Sequence, residues 1–238
     1  MKIAAIIPAY NEQDAITGVV ADIHAVAEKH GIEIGVVVIN DCSTDDTWKI
    51  ISALDCIALD LPINLGIGGA VQTGFKYAFE NGYDYAIQVD GDGQHPAETI
   101  PVLLKAIQER GLDVVIGSRF LNKTGFQSSF MRRAGINWFR WINRMLSGVD
   151  IRDTTSGLRM MNRKALKVVS EYYPDDYPEP EALVLFAKRK LKIGEVAVEM
   201  KERQGGTSSI GAATSIFYMW KVTLGVFFTF IRSHQKIS

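Results

Sequence analysis

Cysteine is nearly missing from this 238-residue chain: Cys42 and Cys56 stand alone, with no CxxC pair and no cluster of histidines. Two isolated thiols give neither a disulfide framework nor a zinc site, and they suit a reducing compartment, the cytosol. An excess of either charge is missing too. With 26 Lys and Arg against 27 Asp and Glu, no whole-protein field draws nucleic acid to the surface. A signal-peptide pattern is not found either. Pro8 and the polar stretch from Asn11 break the N-terminal apolar run, which is expected to be a first strand instead. There is no internal repeat and no low-complexity tract. What remains is the composition and length of an α/β domain with a sizeable core, alone or with a short appendage.

Apolar runs of strand length alternate with helical periodicity. Lys2–Ala9 reads as a strand, and Asn11 offers a side-chain cap to a helix with apolar Ile16, Val19, Val20, Ile23 and Val26. Glu33–Asn40 is a second strand, followed by a short helix containing Trp48, Ile51 and Leu54. A strand near residues 56–61 leads to a helix through Val71, Phe75 and Phe79, and residues 85–90 form the next strand. A helix over 96–110, with Pro96 in its first turn, precedes a strand at 113–117. Such alternation predicts a mostly parallel sheet covered on both faces. Beyond Arg119 the pattern fades. Residues 130–146 read as a helix, 192–203 as a strand and the remainder as a long apolar helix, while Tyr177-Pro178-Glu179-Pro180 suits a loop.

Chemistry concentrates in Ile87-Gln88-Val89-Asp90-Gly91-Asp92-Gly93-Gln94-His95, where an apolar strand runs into two carboxylates separated by glycine. Residues two apart in an extended segment share a side, and hard oxygen ligands with open positions suit Mg2+ or Mn2+. The string also suits a solvated turn. Its position favours a site, because ligands of open α/β sheets bind beyond the carboxyl ends of strands. Three more polar loops follow strands here: Tyr10-Asn11-Glu12, Asp41-Cys42-Ser43 and Asn64 to Gly69.

In order and spacing, Ile7-Pro8-Ala9-Tyr10-Asn11-Glu12, Asn40-Asp41-Cys42-Ser43-Thr44-Asp45, Asn64-Leu65-Gly66 and Asp90-Gly91-Asp92-Gly93-Gln94 resemble the family-2 glycosyltransferases. Among these the chain looks most like the polyprenyl-phosphate sugar transferases related to dolichol-phosphate mannose synthase. The resemblance covers at least residues 1–160 and implies a GT-A-type nucleotide-sugar-binding fold. It also implies that Pro8, Tyr10, Glu12, Asp41, Asn64, Gly66, Asp90 and Gly91 bind the donor, and that Asp90, Asp92 and Gln94 surround a Mg2+ or Mn2+ ion on the diphosphate. Tyr10 can stack on a base, Asp41 can accept from a pyrimidine imide N–H and Glu12 from a ribose hydroxyl. The glycines of residues 64–69 suit equally a donor loop or tight helix–sheet packing. Where many relatives carry two acids and a glycine, this chain has Asn40-Asp41-Cys42.

Asp92, Arg119 and Arg203 are the catalytic candidates; Arg119 also joins Arg133, Asp153 and Ser156 as acceptor-side candidates. Arg119 suits a phosphate through its planar donor fork, and Asp153 can orient a sugar hydroxyl or pair with Arg159. The implied activity is inverting transfer from a nucleotide sugar, preferably UDP-glucose or UDP-N-acetylglucosamine, to a polyprenyl phosphate such as undecaprenyl phosphate. A hydroxyl acceptor would instead need a base, from Glu179, Glu181 or Asp153. A noncatalytic nucleotide-sugar-binding module is the reading of another class. Residues 1–207 are expected to form the transferase domain and 208–238 an apolar C-terminal helix for membrane-surface or oligomer contact. The apolar run at 216–231 contains Lys221 and falls short of the roughly 20 residues a bilayer crossing needs. The expected location is the cytoplasm, peripheral on the cytoplasmic face of the membrane.

Overall fold

Strand β1 (Lys2–Ala9) is apolar at every position after the first, and only Lys2 reaches water. It sits inside the sheet, with Ile3, Ala5 and Ile7 entering one core and Ala4 and Ile6 the other. The computed structural model describes residues 1–121, 130–175, 177–201 and 214–232. Along the first half, strands and helices alternate as expected: α1 (Ile16–His30), β2 (Glu33–Asn40), α2 (Thr47–Ile51), β3 (Ile57–Asp60), α3 (Gly66–Glu80), β4 (Tyr85–Gln88), α4 (Thr99–Glu109) and β5 (Val114–Ser118). The second half contributes α5 (Phe130–Ser147), β6 (Arg159–Asn162), α6 (Arg163–Glu171), α7 (Pro178–Lys188), β7 (Ile193–Ala197) and α8 (Thr214–Arg232).

The sheet order is β3-β2-β1-β4-β6-β5-β7. Strand β6 runs antiparallel to both β4 and β5, and the other pairings are parallel. The expected mostly parallel α/β architecture is therefore the observed one. Helices α1 and α4 cover one face, through Ile16, Ile23, Leu103 and Ile107. Helices α3, α6 and α7 cover the other, through Val71, Phe75, Leu166, Val169 and Phe186. A smaller apolar cluster joins α5, α7 and α8 through Phe139, Ile142, Val184, Val222 and Val226. Parallel strands β1 to β4 end at the same edge of the sheet, which brings their following loops together.

Several local expectations need correction. Asn11 does not cap α1. It has φ 57°, and its side-chain oxygen accepts from the Thr44 N–H, so its hydrogen-bonding capacity ties two loops together instead. Pro96 lies in a turn ahead of α4, with its carbonyl accepting from the Thr99 N–H and hydroxyl. Pro178 and Pro180 do not mark a loop: Pro178 opens α7, where a missing N–H costs nothing because first-turn donors have no intrahelical partner. Strand β7 is shorter than the 192–203 segment read as strand.

Candidate active site

The loops after β1, β2, β3 and β4 enclose a cleft of about 680 Å³, which the N-terminal end of α7 closes from the far side. Pro8, Tyr10 and Glu12 enter it from β1, Asp41 from β2, Asn64 and Gly66 from the loop before α3, and Asp90, Gly91 and Asp92 from β4. All eight residues expected to bind the donor, together with Asp92, thus line one cavity.

Hydrogen bonds between loops fix these walls. The Asn11 N–H donates to Ser43 Oγ at 3.0 Å and the Glu12 N–H to Thr47 Oγ1 at 2.9 Å, joining the loop after β1 to the one after β2. Asp41 Oδ1 accepts from the Leu65 N–H at 2.7 Å, and Asn64 Nδ2 donates to the Asp41 carbonyl at 3.0 Å, adding the loop before α3. Asp41 is buried, whereas the Tyr10 ring stands at the rim, 49% exposed. Of the glycines at 64–69, Gly66 lines the cleft and Gly68 packs closely, while the tight helix–sheet contact falls at Gly74 beyond them. Gly66 has φ 75° at the start of α3, while Gly68 passes against the carbonyls of Pro174 and Asp175, and Gly74 packs on Ile6 and Ile39.

At the end of β4, a Cβ on Gly91 would stand 3.0 Å from the Pro8 carbonyl, so glycine lets the acidic loop lie against β1. Asp92 Oδ1 accepts from the Gln94 N–H at 3.0 Å, which orients a carboxylate otherwise enclosed by protein. His95, not singled out from the sequence, is buried behind Asp90. Its Nδ1 accepts from the Asp90 N–H at 3.0 Å and its Nε2 lies 3.5 Å from Asp90 Oδ2. The ring thus braces both the main chain and the side chain of the first acid. The only sequence signal for it was its place at the end of the acidic motif.

Two carboxylates in one polar cleft, beside open space, are a donor set that fits Mg2+ or Mn2+. No group of three or more His, Cys, Asp or Glu side chains disposed to hold a metal occurs among the described residues, so a bound ion would take its remaining ligands from amide, water or substrate oxygens. Gln94 belongs to the acidic loop but does not line the cleft.

Beside the cleft, Arg119 and Asp153 form a bidentate pair. Arg119 Nε and Nη2 each lie 2.7 Å from a different Asp153 oxygen, and the Arg119 main-chain N–H donates to Oδ2 at 3.0 Å. Burial works against the Arg119 charge, but the hydrogen bonds and attraction of Asp153 outweigh it and raise its pKa above the usual arginine value. Asp153 therefore pairs with Arg119 and not with Arg159, the partner considered from the sequence. Arg159 is fully buried and donates to the carbonyls of Thr154, Ser156 and Glu179, which occupy it elsewhere. The Ser156 hydroxyl is buried and donates to the Gly117 carbonyl at 2.6 Å. Arg133 lies on α5, with its side chain outside the described residues, and Arg203 is outside them altogether.

The two glutamates of α7 diverge, because residues two apart on a helix point to nearly opposite faces. Glu179 lines the cleft. Burial raises its pKa, Arg159 opposes that shift, and Asp90 adds to it. Glu181 is turned to α8, where its Oε2 accepts from Thr229 Oγ1 at 2.6 Å.

A family model described as "Glycosyl transferase family 2" matches residues 4–170. The UDP-N-acetylglucosamine–dolichyl-phosphate N-acetylglucosaminyltransferase of Methanococcus voltae is 34% identical over 214 residues, covering 82% of this chain and 83% of that protein. The undecaprenyl-phosphate mannosyltransferase of Micrococcus luteus is 31% identical over 176 residues, covering 71% of this chain and 70% of its own. Glucosyl-3-phosphoglycerate synthase from Mycobacterium tuberculosis, crystallised with Mn2+, UDP and glucosyl-3-phosphoglycerate, matches with a TM-score of 0.69 at 17% identity, over 98% of this chain and 79% of that one. At that identity the likeness concerns the fold, which is of the GT-A type.

Proposed function

This chain belongs to glycosyl transferase family 2, and on that premise we propose that it is a metal-dependent enzyme that transfers a sugar, with inversion, from a UDP-sugar to a polyprenyl phosphate. The observation that carries this reading is the convergence of Tyr10, Glu12, Asp41, Asp90 and Asp92 on one cleft at the strand ends. UDP-N-acetylglucosamine and UDP-glucose are the preferred donors and undecaprenyl phosphate a representative acceptor. The Methanococcus relative, whose name specifies UDP-N-acetylglucosamine and dolichyl phosphate, supports both halves.

Tyr10 stacks on the base at the rim. Asp41, one oxygen held by Leu65, gives the other to the imide N–H, and Glu12 accepts from the ribose. Asp90 and Asp92 would hold Mg2+ or Mn2+, whereas Gln94, the third residue the resemblance implies, stands on the same loop outside the cleft. When bound, the ion neutralises charge on the departing diphosphate. Arg119, already oriented by Asp153, holds the acceptor phosphate, with Arg133 assigned to it by resemblance alone, whereas the Ser156 hydroxyl is buried on the Gly117 carbonyl and takes no part. An acceptor phosphate oxygen attacks the anomeric carbon as the bond from that carbon to the diphosphate oxygen breaks, releasing UDP. The attacking oxygen is already anionic, so alignment and electrostatic stabilisation replace a protein base. Arg203 is assigned to the departing diphosphate. A hydrocarbon-anchored acceptor puts the enzyme at the cytoplasmic surface of the membrane, and no helix among the described residues is long and apolar enough to cross one.

Glu179 favours a second reading. A carboxyl of raised pKa lining the cleft is suited to deprotonate a hydroxyl acceptor on a growing glycan. Incubation with undecaprenyl phosphate across a nucleotide-sugar panel, with mass measurement of the lipid, separates the two. A glycosyl-phosphoprenol product is expected. Transfer to glycan hydroxyls, with none to the lipid, would overturn the lipid-acceptor reading.

A further inference from the structure

The first turn of α7, the far wall of the cleft, is fixed by the protein itself. Pro178 begins the helix, Arg159 Nη2 donates to the Glu179 carbonyl at 2.7 Å, and Gly68 of α3 lies against the carbonyls of Pro174 and Asp175 just ahead of it. From this wall the Glu179 side chain lines the cleft. Its carboxyl accepts from its own main-chain N–H and feels the charges of Arg159, Asp90 and Arg119, but it has no other hydrogen-bond or ion-pair partner among the described residues. Its neighbours in the cleft are engaged: Asp41 accepts from the Leu65 N–H, Asp90 is braced by His95, and Asp92 accepts from the Gln94 N–H.

Whatever meets an acid in this place must bring hydrogen-bond donors. Diphosphate and acceptor-phosphate oxygens are anionic acceptors and would be repelled. The nucleotide base belongs to the Tyr10 and Asp41 end, and the diphosphate to Asp90 and Asp92. The part of the donor still without a partner is the sugar. Its ring hydroxyls donate, and a hydrogen bond to an ionised acceptor is roughly twice as strong as one between neutral groups. A sugar with a carboxylate of its own is the opposite case. Arg159 is fully buried and bonded to three carbonyls, and Arg119 is engaged by Asp153 through Nε and Nη2, so a sugar carboxylate arriving beside Glu179 would gain no matched cation. Two carboxyls sharing the site would repel, or one would be forced to hold a proton.

We infer that Glu179 reads the sugar of the donor, accepting from a ring hydroxyl of a neutral sugar and excluding uronic acids. The inference rests on the UDP-sugar reading of the cleft and is independent of the acceptor. It gives Glu179 a binding role in place of the role of base.

Calorimetry with Mg2+ and no acceptor tests it, using UDP, UDP-glucuronate and the tighter of UDP-glucose and UDP-N-acetylglucosamine. The parent is expected to bind the neutral sugar nucleotide at least about tenfold more tightly than UDP-glucuronate. Glu179→Ala should weaken the neutral sugar nucleotide by about 10- to 100-fold, while UDP binding, which also reports a folded cleft, changes by less than about twofold. Glu179→Gln keeps an acceptor oxygen without the charge, so it should recover part of that loss and narrow the preference against UDP-glucuronate about tenfold. In sugar transfer the change should fall mainly on the donor KM. Equal affinity of parent and Glu179→Ala for the neutral sugar nucleotide, with UDP binding intact, would overturn the inference alone. So would unchanged donor affinity with kcat lowered by about 100-fold or more in Glu179→Gln, the mark of a base. A parent that binds no UDP would refute the UDP-sugar reading, and the inference with it.

Discussion

Asp153→Asn tests the clamp beside the cleft, and its effect follows from the acceptor positions it removes. Asp153 is completely buried, and its two oxygens accept from the Arg119 main-chain N–H, Nε and Nη2, with Thr155 Oγ1 near Oδ1 at 3.4 Å. An asparagine keeps one acceptor oxygen and turns its NH2 toward donors whichever way it is flipped. The variant therefore loses at least one charge-assisted hydrogen bond and leaves a guanidinium in a largely enclosed site without its counter-ion. Breaking a buried pair from one side costs about 3–5 kcal/mol. The low end, about 3 kcal/mol, applies here because the Arg119 side chain keeps 29% of its exposure. For a chain of this length that lowers Tm by roughly 6–12 °C, measurable by calorimetry. In the double variant Arg119→Met/Asp153→Leu both charges are gone, so it should lose less stability than the sum of the single changes. A fall below about 1 kcal/mol in Asp153→Asn, or additivity across the cycle, would refute the clamp and leave a surface-like ion pair.

Asp92→Asn should keep the fold and lower divalent-ion-dependent turnover by at least about 100-fold, with Asp90→Asn also impaired; a metal titration of sugar transfer checks both, and normal turnover with normal metal dependence in Asp92→Asn would remove the metal assignment. Asp41→Ala should weaken donor binding by roughly 10- to 100-fold while sparing lipid binding, since it removes a charged acceptor and frees the Leu65 N–H; calorimetry with each ligand separates the two. Glu179 has a folded-state pKa above its unfolded value, chiefly through burial. Folding therefore binds a proton between those two values, and stability falls as pH rises through that window. Glu179→Gln should consequently be more stable than the parent at neutral pH, with the difference shrinking as pH falls toward about 4.3, the ordinary glutamate value; thermal melts of both proteins across that range decide it.

The first half of the chain was legible because its signals are local. Fully buried parallel strands read as unbroken apolar runs, and turn-forming acids and glycines mark where each ends. The cleft follows from that topology, since four strands ending at one edge gather four loops. Strand β6 was not legible. Its Arg159-Met160-Met161-Asn162 is only four residues long and contains a charged side chain, which from sequence argues for a loop. Carbonyls of residues 154, 156 and 179 accept from Arg159 Nε and Nη2 in its buried position, and two of those three belong to the preceding turn, whose path is set by folding. The partner of Asp153 was missed for the same reason, since Arg119 lies 34 residues away and reaches it through the β5–β6 pairing. His95 resembled any residue after a turn until its ring was seen against Asp90.

The departure at Asn40-Asp41-Cys42 from the acid-rich family pattern has a physical reading. Asn40 Nδ2 donates to Asp60 Oδ1 at 2.7 Å, and its Oδ1 accepts from the Ser43 N–H at 3.3 Å. An aspartate at 40 would keep the second bond but press one carboxylate against another in a largely buried position, so the neutral amide suits a chain that has an acid on the neighbouring strand. Cys42 adopts φ 58°, the left-handed region that glycine enters without a Cβ penalty and other residues at a cost of about 1–2 kcal/mol. That strain is held by bonds on both sides: the Asp41 N–H to the Ala9 carbonyl, and the Ser43 hydroxyl from the Asn11 N–H. The left-handed backbone past Asp41 is thus held without a glycine. Of the two acid positions in the family pattern, the one kept as an acid here is the one that lines the cleft, and the amide at 40 is bonded to Asp60 outside it.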